Sequence, residues 1–184
     1  MACALTFDGV NDYVDAGNGA SLRITGSFTI TAWINPSAFP GTDDNPVINK
    51  EDITPGCSYA LNVTRDNGPE QFYVLVSNDG VCGPSAINAQ RYSATTLSAG
   101  QWYHITGVYD AAAQTLHVYL NGVLNDGTLA GTVPAAINNT AGNVNIATRG
   151  SDTNLHFQGT IDDARVYNRA LSAAEIWQLY TGVQ

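Results

Sequence analysis

Apolar and polar side chains alternate with period two along much of this chain, and that pattern excludes most folds. In Phe28-Thr29-Ile30-Thr31-Ala32-Trp33-Ile34, an extended backbone sends Phe28, Ile30, Ala32 and Ile34 to one face and Thr29, Thr31 and Trp33 to the other. The alternation recurs over 59–63, 72–76, 103–109 and 116–120, with Asp66-Asn67-Gly68-Pro69, Asn78-Asp79-Gly80, Ser98-Ala99-Gly100 and Asn125-Asp126-Gly127 as punctuation. Asn121-Gly122, set between Leu116–Leu120 and Val123-Leu124, supplies the two positive-φ positions of a type I′ hairpin. Short strands at roughly ten-residue spacing predict an all-β fold, a two-sheet antiparallel jelly-roll sandwich, and not a βαβ fold. One segment departs from the pattern. Leu171–Tyr180 reads as a short C-terminal helix, with Ser172 and Glu175 forming a capping box and Leu171 stapling onto Ile176. This helix is expected to dock on the sandwich edge.

The 184 residues fit a single domain, 1–184, with a core of ordinary size. Seven basic residues face sixteen acidic ones, for a net charge of −9 with no Lys/Arg cluster. A nucleic-acid or anionic-membrane partner therefore lacks its electrostatic footprint. Apolar runs stop far short of a membrane span, so membrane insertion is not expected. No charged n-region leads into an apolar h-region. Strand-like residues begin at about Ala4, as expected of a module from a longer protein. Thirteen of the acids are Asp, a residue suited both to turns and to calcium loops.

Cys3, Cys57 and Cys82 show no zinc-type spacing. Cys57 and Cys82 sit in Gly/Pro-containing loops that flank the block from Tyr59 to Ser77. A Cys57–Cys82 disulfide is expected, implying an oxidising compartment; the alternative is two buried or free thiols. Cys3 has no assigned role.

Several blocks in order along the chain resemble one family. They are ALTFDGVNDYV from Ala4, FTITAWINP from Phe28, GQWYHITGVYD from Gly100, LHVYLNGV from Leu116 and FQGTIDDARVYNRALS from Phe157. Together they are similar to the laminin-G-like jelly-roll domains of the concanavalin A-like superfamily. The resemblance implies two antiparallel sheets, one of them curved, with the first and last strands adjacent. It implies less about function, since the fold carries lectins, adhesion modules and glycan hydrolases. It also implies a structural calcium ion on the outer side of the sandwich, held by Asp8, Asp162 and carbonyls near Gly26. The alternative is that Asp8 and Asp162 satisfy turn amides or pair with Arg165, and Asp163 is expected beside Arg165 or in solvent.

Superfamily hydrolases carry an ExDxE-type strand whose close carboxylates run a two-carboxylate mechanism. No such run exists here, and Glu51, Glu70 and Glu175 stand apart. Asp162 and Asp163 are adjacent on a strand and point to opposite faces. His104, His117 and His156 sit in no catalytic motif. Sugar binding needs an aromatic platform with amides, carboxylates and Arg for hydroxyls; nine Tyr and seventeen Asn supply the material. Trp33 and Trp102 read as core. The candidates for ligand contact are Lys50, Tyr59, Tyr73, Tyr92, Arg149 and His156, with Lys50 the sole lysine. Asn62-Val63-Thr64 and Asn138-Asn139-Thr140 match the glycosylation sequon.

The leading expectation is a non-catalytic, extracellular or cell-surface module that binds a polysaccharide or oligosaccharide. A protein-binding adhesion module is the first alternative. A glycan hydrolase is the second, and it requires paired carboxylates among Asp43, Asp44, Asp52, Asp79 and Asp152.

Overall fold

The computed structural model describes residues 4–40, 44–51, 56–64, 69–150 and 155–182. In chain order the strands are β1 (Leu5–Asp8), β2 (Val14–Gly17), β3 (Phe28–Pro36), β4 (Asn45–Glu51), β5 (Cys57–Val63), β6 (Phe72–Ser77) and β7 (Asn88–Ser93). They continue with β8 (Tyr103–Asp110), β9 (Thr115–Leu120), β10 (Val123–Leu124), β11 (Asp126–Gly131), β12 (Val144–Ile146) and β13 (Gln158–Tyr167). Helix α1 (Ala173–Thr181) closes the chain. A six-stranded sheet, ordered β1-β13-β3-β8-β9-β10, packs on a seven-stranded one, ordered β11-β7-β6-β5-β4-β12-β2. All pairings are antiparallel. The jelly-roll sandwich expected from the alternation is present, with the first and last strands paired along Leu5↔Ile161 to Asp8↔Gln158.

The core is built by parity. Phe28, Ile30, Ala32 and Ile34 of β3 meet Tyr59, Leu61 and Val63 of β5 and Phe72, Val74 and Val76 of β6 between the sheets. Gly107 lets the sheets close: a Cβ there would lie 2.6 Å from the Val74 side chain. At the hairpin, Asn121 and Gly122 take φ values of 50° and 80°, the conformation a type I′ turn demands.

Two local expectations change. The stretch 78–93, which shows no apolar alternation in the sequence, ends in β7, whose polar sequence NAQRYS hides a strand paired with β6 and β11. The helix packs over the outer face of the six-stranded sheet, where Leu171 and Ile176 join Val108, and not simply on its edge. Its capping box is present, with the Ser172 hydroxyl accepting from the Glu175 amide and Glu175 accepting from the Ser172 amide. Trp33 lies under this helix, stacked at 5.5 Å on Tyr180, and outside the central core.

Candidate functional site

Register decides which side chains reach the outer face of the seven-stranded sheet. Asn49 of β4 pairs with Ala60 of β5, Ala60 with Leu75 of β6, and Leu75 with Gln90 of β7. Directly paired residues share a face, so these four form one row. Asn62, Tyr73 and Tyr92 form the next row. Cys57, Ala60, Tyr73 and Leu75 make a small apolar cluster here, separate from the inter-sheet core, with Tyr92 against it. The Tyr73 and Tyr92 rings lie 5.2 Å apart.

A polar network is set into this face. The Tyr73 hydroxyl donates to Asp44 Oδ2 at 2.5 Å and accepts from Asn62 Nδ2 at 2.9 Å. Asn62 also hydrogen-bonds the Glu51 carboxylate, and Arg149 Nε lies 3.8 Å from Glu51 Oε2. Glu51 is only 3% exposed. Burial pushes its carboxyl up to about 7; Arg149 and the Asn62 hydrogen bond oppose that rise, and the Asp44 charge adds to it. Burial also drives the Tyr73 hydroxyl well above its ordinary value, helped by the charges of Asp44 and Glu51. Several buried atoms of this region have no hydrogen-bond partner: both amide atoms of Asn49, Oδ1 of Asn62 and Nδ1 of His156. An unpaired buried polar atom costs roughly 1–3 kcal/mol, so a run of them in one region needs a cause.

Of the six residues expected to touch ligand, Tyr73, Tyr92 and Arg149 come together on this face. His156 bridges Thr148 next to Arg149 and is 9% exposed. Lys50 and Tyr59 must be removed from the set. They pair with each other across β4 and β5, and Tyr59 is an inter-sheet residue that meets Phe28 at 5.1 Å and donates to the Leu22 carbonyl. Lys50 is fully buried, with Nζ donating to Asn18 Oδ1 at 2.6 Å and the Gly142 carbonyl at 3.0 Å. The only lysine is a tie between chain segments.

The Cys57–Cys82 disulfide is formed, with a Cα–Cα distance of 5.2 Å. An extra β5 residue, Ser58, breaks the register so that Glu51 pairs with Cys57. The Glu51 carboxylate and both sulfurs consequently lie within 4.8 Å of one another. With its sulfurs joined, this trio is a carboxylate beside a disulfide, not a thiolate metal site.

The structure does not bring together the residues expected to share a calcium ion. Asp8 pairs with Gln158, whereas Asp162 lies four residues farther along β13 opposite Trp33, roughly 13 Å away at strand rise. Gly26 precedes the opposite end of β3 from Asp8. Asp8 instead accepts from the Val10 and Asn11 amides, which hold its carboxyl below the usual range. Asp162 accepts from the Asp163 amide, and Asp163 pairs with Arg165 at 3.1 Å. A cavity of about 100 Å³ beside Asp162 is lined by Leu5, Phe7, Ile146 and Ile161, well short of the ~300 Å³ at which ligand pockets begin.

Sequence reasoning missed Asn49, Glu51 and Asn62. Asn62 had been noted only as a sequon, yet it is fully buried within the network. Of the Asp residues considered for a carboxylate pair, Asp43, Asp52 and Asp152 fall outside the described residues. Asp79 holds its own loop through Val81 N and Asn88 Nδ2, and Asp44 joins Glu51.

A laminin G-type family model, described as the concanavalin A-like lectin/glucanases superfamily, matches residues 8–177. A search among curated protein sequences gave no match. Among solved structures, a candidate carbohydrate-binding protein from Bacteroides ovatus is similar at a TM-score of 0.71 and 20% identity, covering 95% of this chain and 46% of that one. This chain thus spans less than half of that relative. The CBM40 module of a Ruminococcus gnavus sialidase, solved bound to sialyllactose, is similar at a TM-score of 0.69 and 14% identity, with 96% of each chain covered. A Trypanosoma rangeli sialidase is similar at a TM-score of 0.63 and 18% identity, over 96% of this chain and 27% of that one. At these identities the likeness is one of fold.

Proposed function

This chain belongs to the concanavalin A-like lectin/glucanases superfamily, and we propose that it is a non-catalytic glycan-binding module. Its site is the outer face of the seven-stranded sheet, around Asn49, Asn62, Tyr73 and Arg149. One observation carries the reading: buried amide and imidazole atoms with no hydrogen-bond partner surround a tyrosine pair and a charge network. Sugar hydroxyls both donate and accept, so a ligand that opens this face at Asn49, fully buried in the structure, would meet both functions at once. Tyr92, half-buried beside the tilted ring of Tyr73, offers apolar surface to a sugar ring. The carbohydrate-binding neighbours support this use of the fold.

The disulfide supports an extracellular setting, and no helix among the described residues is long and apolar enough to cross a membrane. Weak affinity per site would be raised by repetition within a longer parent. The test is a glycan array followed by calorimetric titration. Saturable binding to at least one glycan is expected, and Asn49→Ala should weaken it about tenfold, the worth of one or two hydrogen bonds. No binding to any glycan at millimolar concentration sinks the reading.

A hydrolase reading draws on one observation, that Asp44 and Glu51 both act on Tyr73 and Glu51 titrates near neutrality. Glu51 is nevertheless buried against Arg149, without the access a general acid needs. Release of reducing sugar from a bound glycan, abolished by Glu51→Gln, would establish it.

A further inference from the structure

We propose that Glu51 is the internal proton carrier of the Cys57–Cys82 bridge, which makes this bridge an exchangeable link between β5 and the loop after β6 and not an inert cross-link. Register is the first ground. The pairing shifts between Lys50 and Glu51, so that Glu51 of β4 stands opposite Cys57 of β5, and its carboxylate and both sulfurs lie within 4.8 Å of one another. One water, or one small side-chain shift, closes that span for a proton. The two sulfurs are unequal, which is the second ground. Cys57 is fully buried in the apolar cluster with Ala60, Tyr73 and Leu75, whereas Cys82 lies in a solvent-accessible loop after the exposed Val81. An external thiolate therefore reaches the Cys82 sulfur and expels the Cys57 sulfur. Burial in apolar surroundings raises the pKa of a thiol, and a thiol of high pKa leaves slowly. A proton delivered to Cys57 removes that obstacle, and Glu51 is the carboxyl beside it.

In opening, one thiolate of an external dithiol bonds to Cys82 Sγ, the S–S bond breaks, and its electron pair goes to Cys57 Sγ, which takes the Glu51 proton. The dithiol's second thiolate then displaces Cys82 as a thiolate. The dithiol is oxidised to its disulfide, the bridge is reduced to two thiols, and water returns the protons. Closing by a small disulfide runs these steps backwards, with the Glu51 carboxylate taking the Cys57 proton. The surroundings suit both directions. Burial pushes the Glu51 carboxyl up to about 7, with Asp44 adding to the rise and Arg149 and Asn62 opposing it, so both forms are present near neutrality. Arg149 Nε, 3.8 Å from Glu51 Oε2, faces the carboxylate that remains after transfer. Tyr73 is driven well above its ordinary value and stays a neutral hydroxyl. Once free, the thiols remain opposed. The Cys57 amide donates to the Gly80 carbonyl at 2.8 Å, and Asp79 holds the loop by accepting from the Val81 amide and Asn88 Nδ2.

The experiment opens the bridge of the folded full chain with dithiothreitol across the pH range on either side of neutrality, and follows free thiols by alkylation and intact mass. Each rate is divided by the dithiothreitol thiolate concentration at that pH. For the unaltered protein this normalised rate should be highest in mild acid and fall about tenfold or more through pH ~7, as Glu51 loses the proton it gives. With glutathione as the thiol, the mixed disulfide should form on Cys82. Glu51→Gln, confirmed as folded by its circular dichroism, matches the uncharged acid in charge and bulk but has no proton to give. Its normalised rate should therefore stay at the slow level at every pH, and should equal that of the unaltered protein in urea. A fast rate in Glu51→Gln, equal to that of the unaltered protein in acid, overturns the proposal, because charge repulsion of the thiolate then accounts for the profile. A flat profile in the unaltered protein overturns it whether or not the variant folds. So does a mixed disulfide on Cys57, or a bridge that stays closed in excess dithiothreitol at every pH.

Discussion

Each outer face of the sandwich carries a buried polar cluster, and the two are finished differently. On the six-stranded sheet, Thr31 Oγ1 donates to the Ile105 carbonyl and meets Thr106 Oγ1 and His104 Nε2, each at 2.9 Å. Thr29 ties this sheet to the helix approach, donating to the Arg169 carbonyl and accepting from the Leu171 amide. Trp33 and Tyr180 close over the imidazole, and only His104 Nδ1 lacks a partner. On the seven-stranded sheet, Tyr73, Asn62 and Glu51 are linked, yet both atoms of the Asn49 amide and the Asn62 carbonyl oxygen are left over. Polar groups that satisfy one another under a helix contribute stability and specificity of packing. Groups held in place with capacity to spare are suited to an incoming ligand. The polar side chains alone do not tell the faces apart; the unspent hydrogen bonds do.

The sharpest way to break this contrast is to damage the core and watch the ligand. Tyr59→Ala removes an aromatic wedged against Phe28 and should cost about 3–5 kcal/mol in urea unfolding. Glycan affinity, measured well below melting, should hardly change, because Tyr59 faces inward. A large affinity loss in protein that remains folded would return Tyr59 to the binding face.

Next in size is the disulfide, which belongs to the ligand side. Removing it by Cys57→Ser with Cys82→Ser opens a loop of 25-residue separation, worth about 3–4 kcal/mol in the chain-entropy account. Because Cys57 adjoins Glu51, glycan affinity should fall as well, unlike the Tyr59 case. Unfolding curves and titrations of the same sample separate the two outcomes.

The clusters should also pull in opposite directions with pH. Burial, aided by Arg165 and opposed by Asp163, lowers His104 from 6.5 to about 4. Below pH 6.5 the unfolded chain then binds the proton more readily, so His104 makes stability rise with pH between about 4 and 6.5. Glu51, raised from 4.5 to about 7, holds its proton better when folded, so its stabilisation is full below 4.5 and is lost as pH rises through 7. Each arm is of the order of 2–3 kcal/mol. The unaltered protein should show a flattened profile between pH 5 and 6.5. Glu51→Gln should leave the rising arm and His104→Gln the falling one. The carboxyls lowered by hydrogen bonds, Asp8, Asp79 and Glu175, act below this window. Identical profiles in the two variants would mean that neither cluster titrates as its burial requires.

Much of the fold was legible, and the site only in part, for reasons of register. Period two and Asn121-Gly122 identify the sandwich and its hairpin because both are local. The ligand face depends on parity within Asn49-Lys50-Glu51 and on Ser58, an additional residue that brings Cys57 opposite Glu51. Rarity drew attention to Lys50, but parity sends it inward with Tyr59. Pairing Asp8 with Asp162 failed likewise: adjacency of first and last strands is a topological fact, while the four-residue offset along β13 is one of register. Strand β7 was overlooked because NAQRYS carries little apolar signal on either face.

The smallest effect belongs to the helix cap, and it tests whether the helix-covered side is structural alone. The Ser172 hydroxyl accepts from the Glu175 amide, and the Glu175 carboxylate accepts from the Ser172 amide and hydroxyl while pairing with Arg169 at 2.7 Å. These contacts pull the Glu175 carboxyl down to about 2, so the cap stays intact across the physiological range. Ser172→Ala removes the hydroxyl that accepts from one of the helix's free amides and should cost about 1 kcal/mol. Because α1 covers Trp33 and Tyr180 covers His104, the loss should appear as faster hydrogen exchange at the helix and the outer face of β8. Amides of β4 to β6 should stay protected at their original rates, and glycan affinity should not move. A change in affinity from this remote cap would show that the two faces are coupled through the core, and the separation between a structural face and a binding face would have to be abandoned.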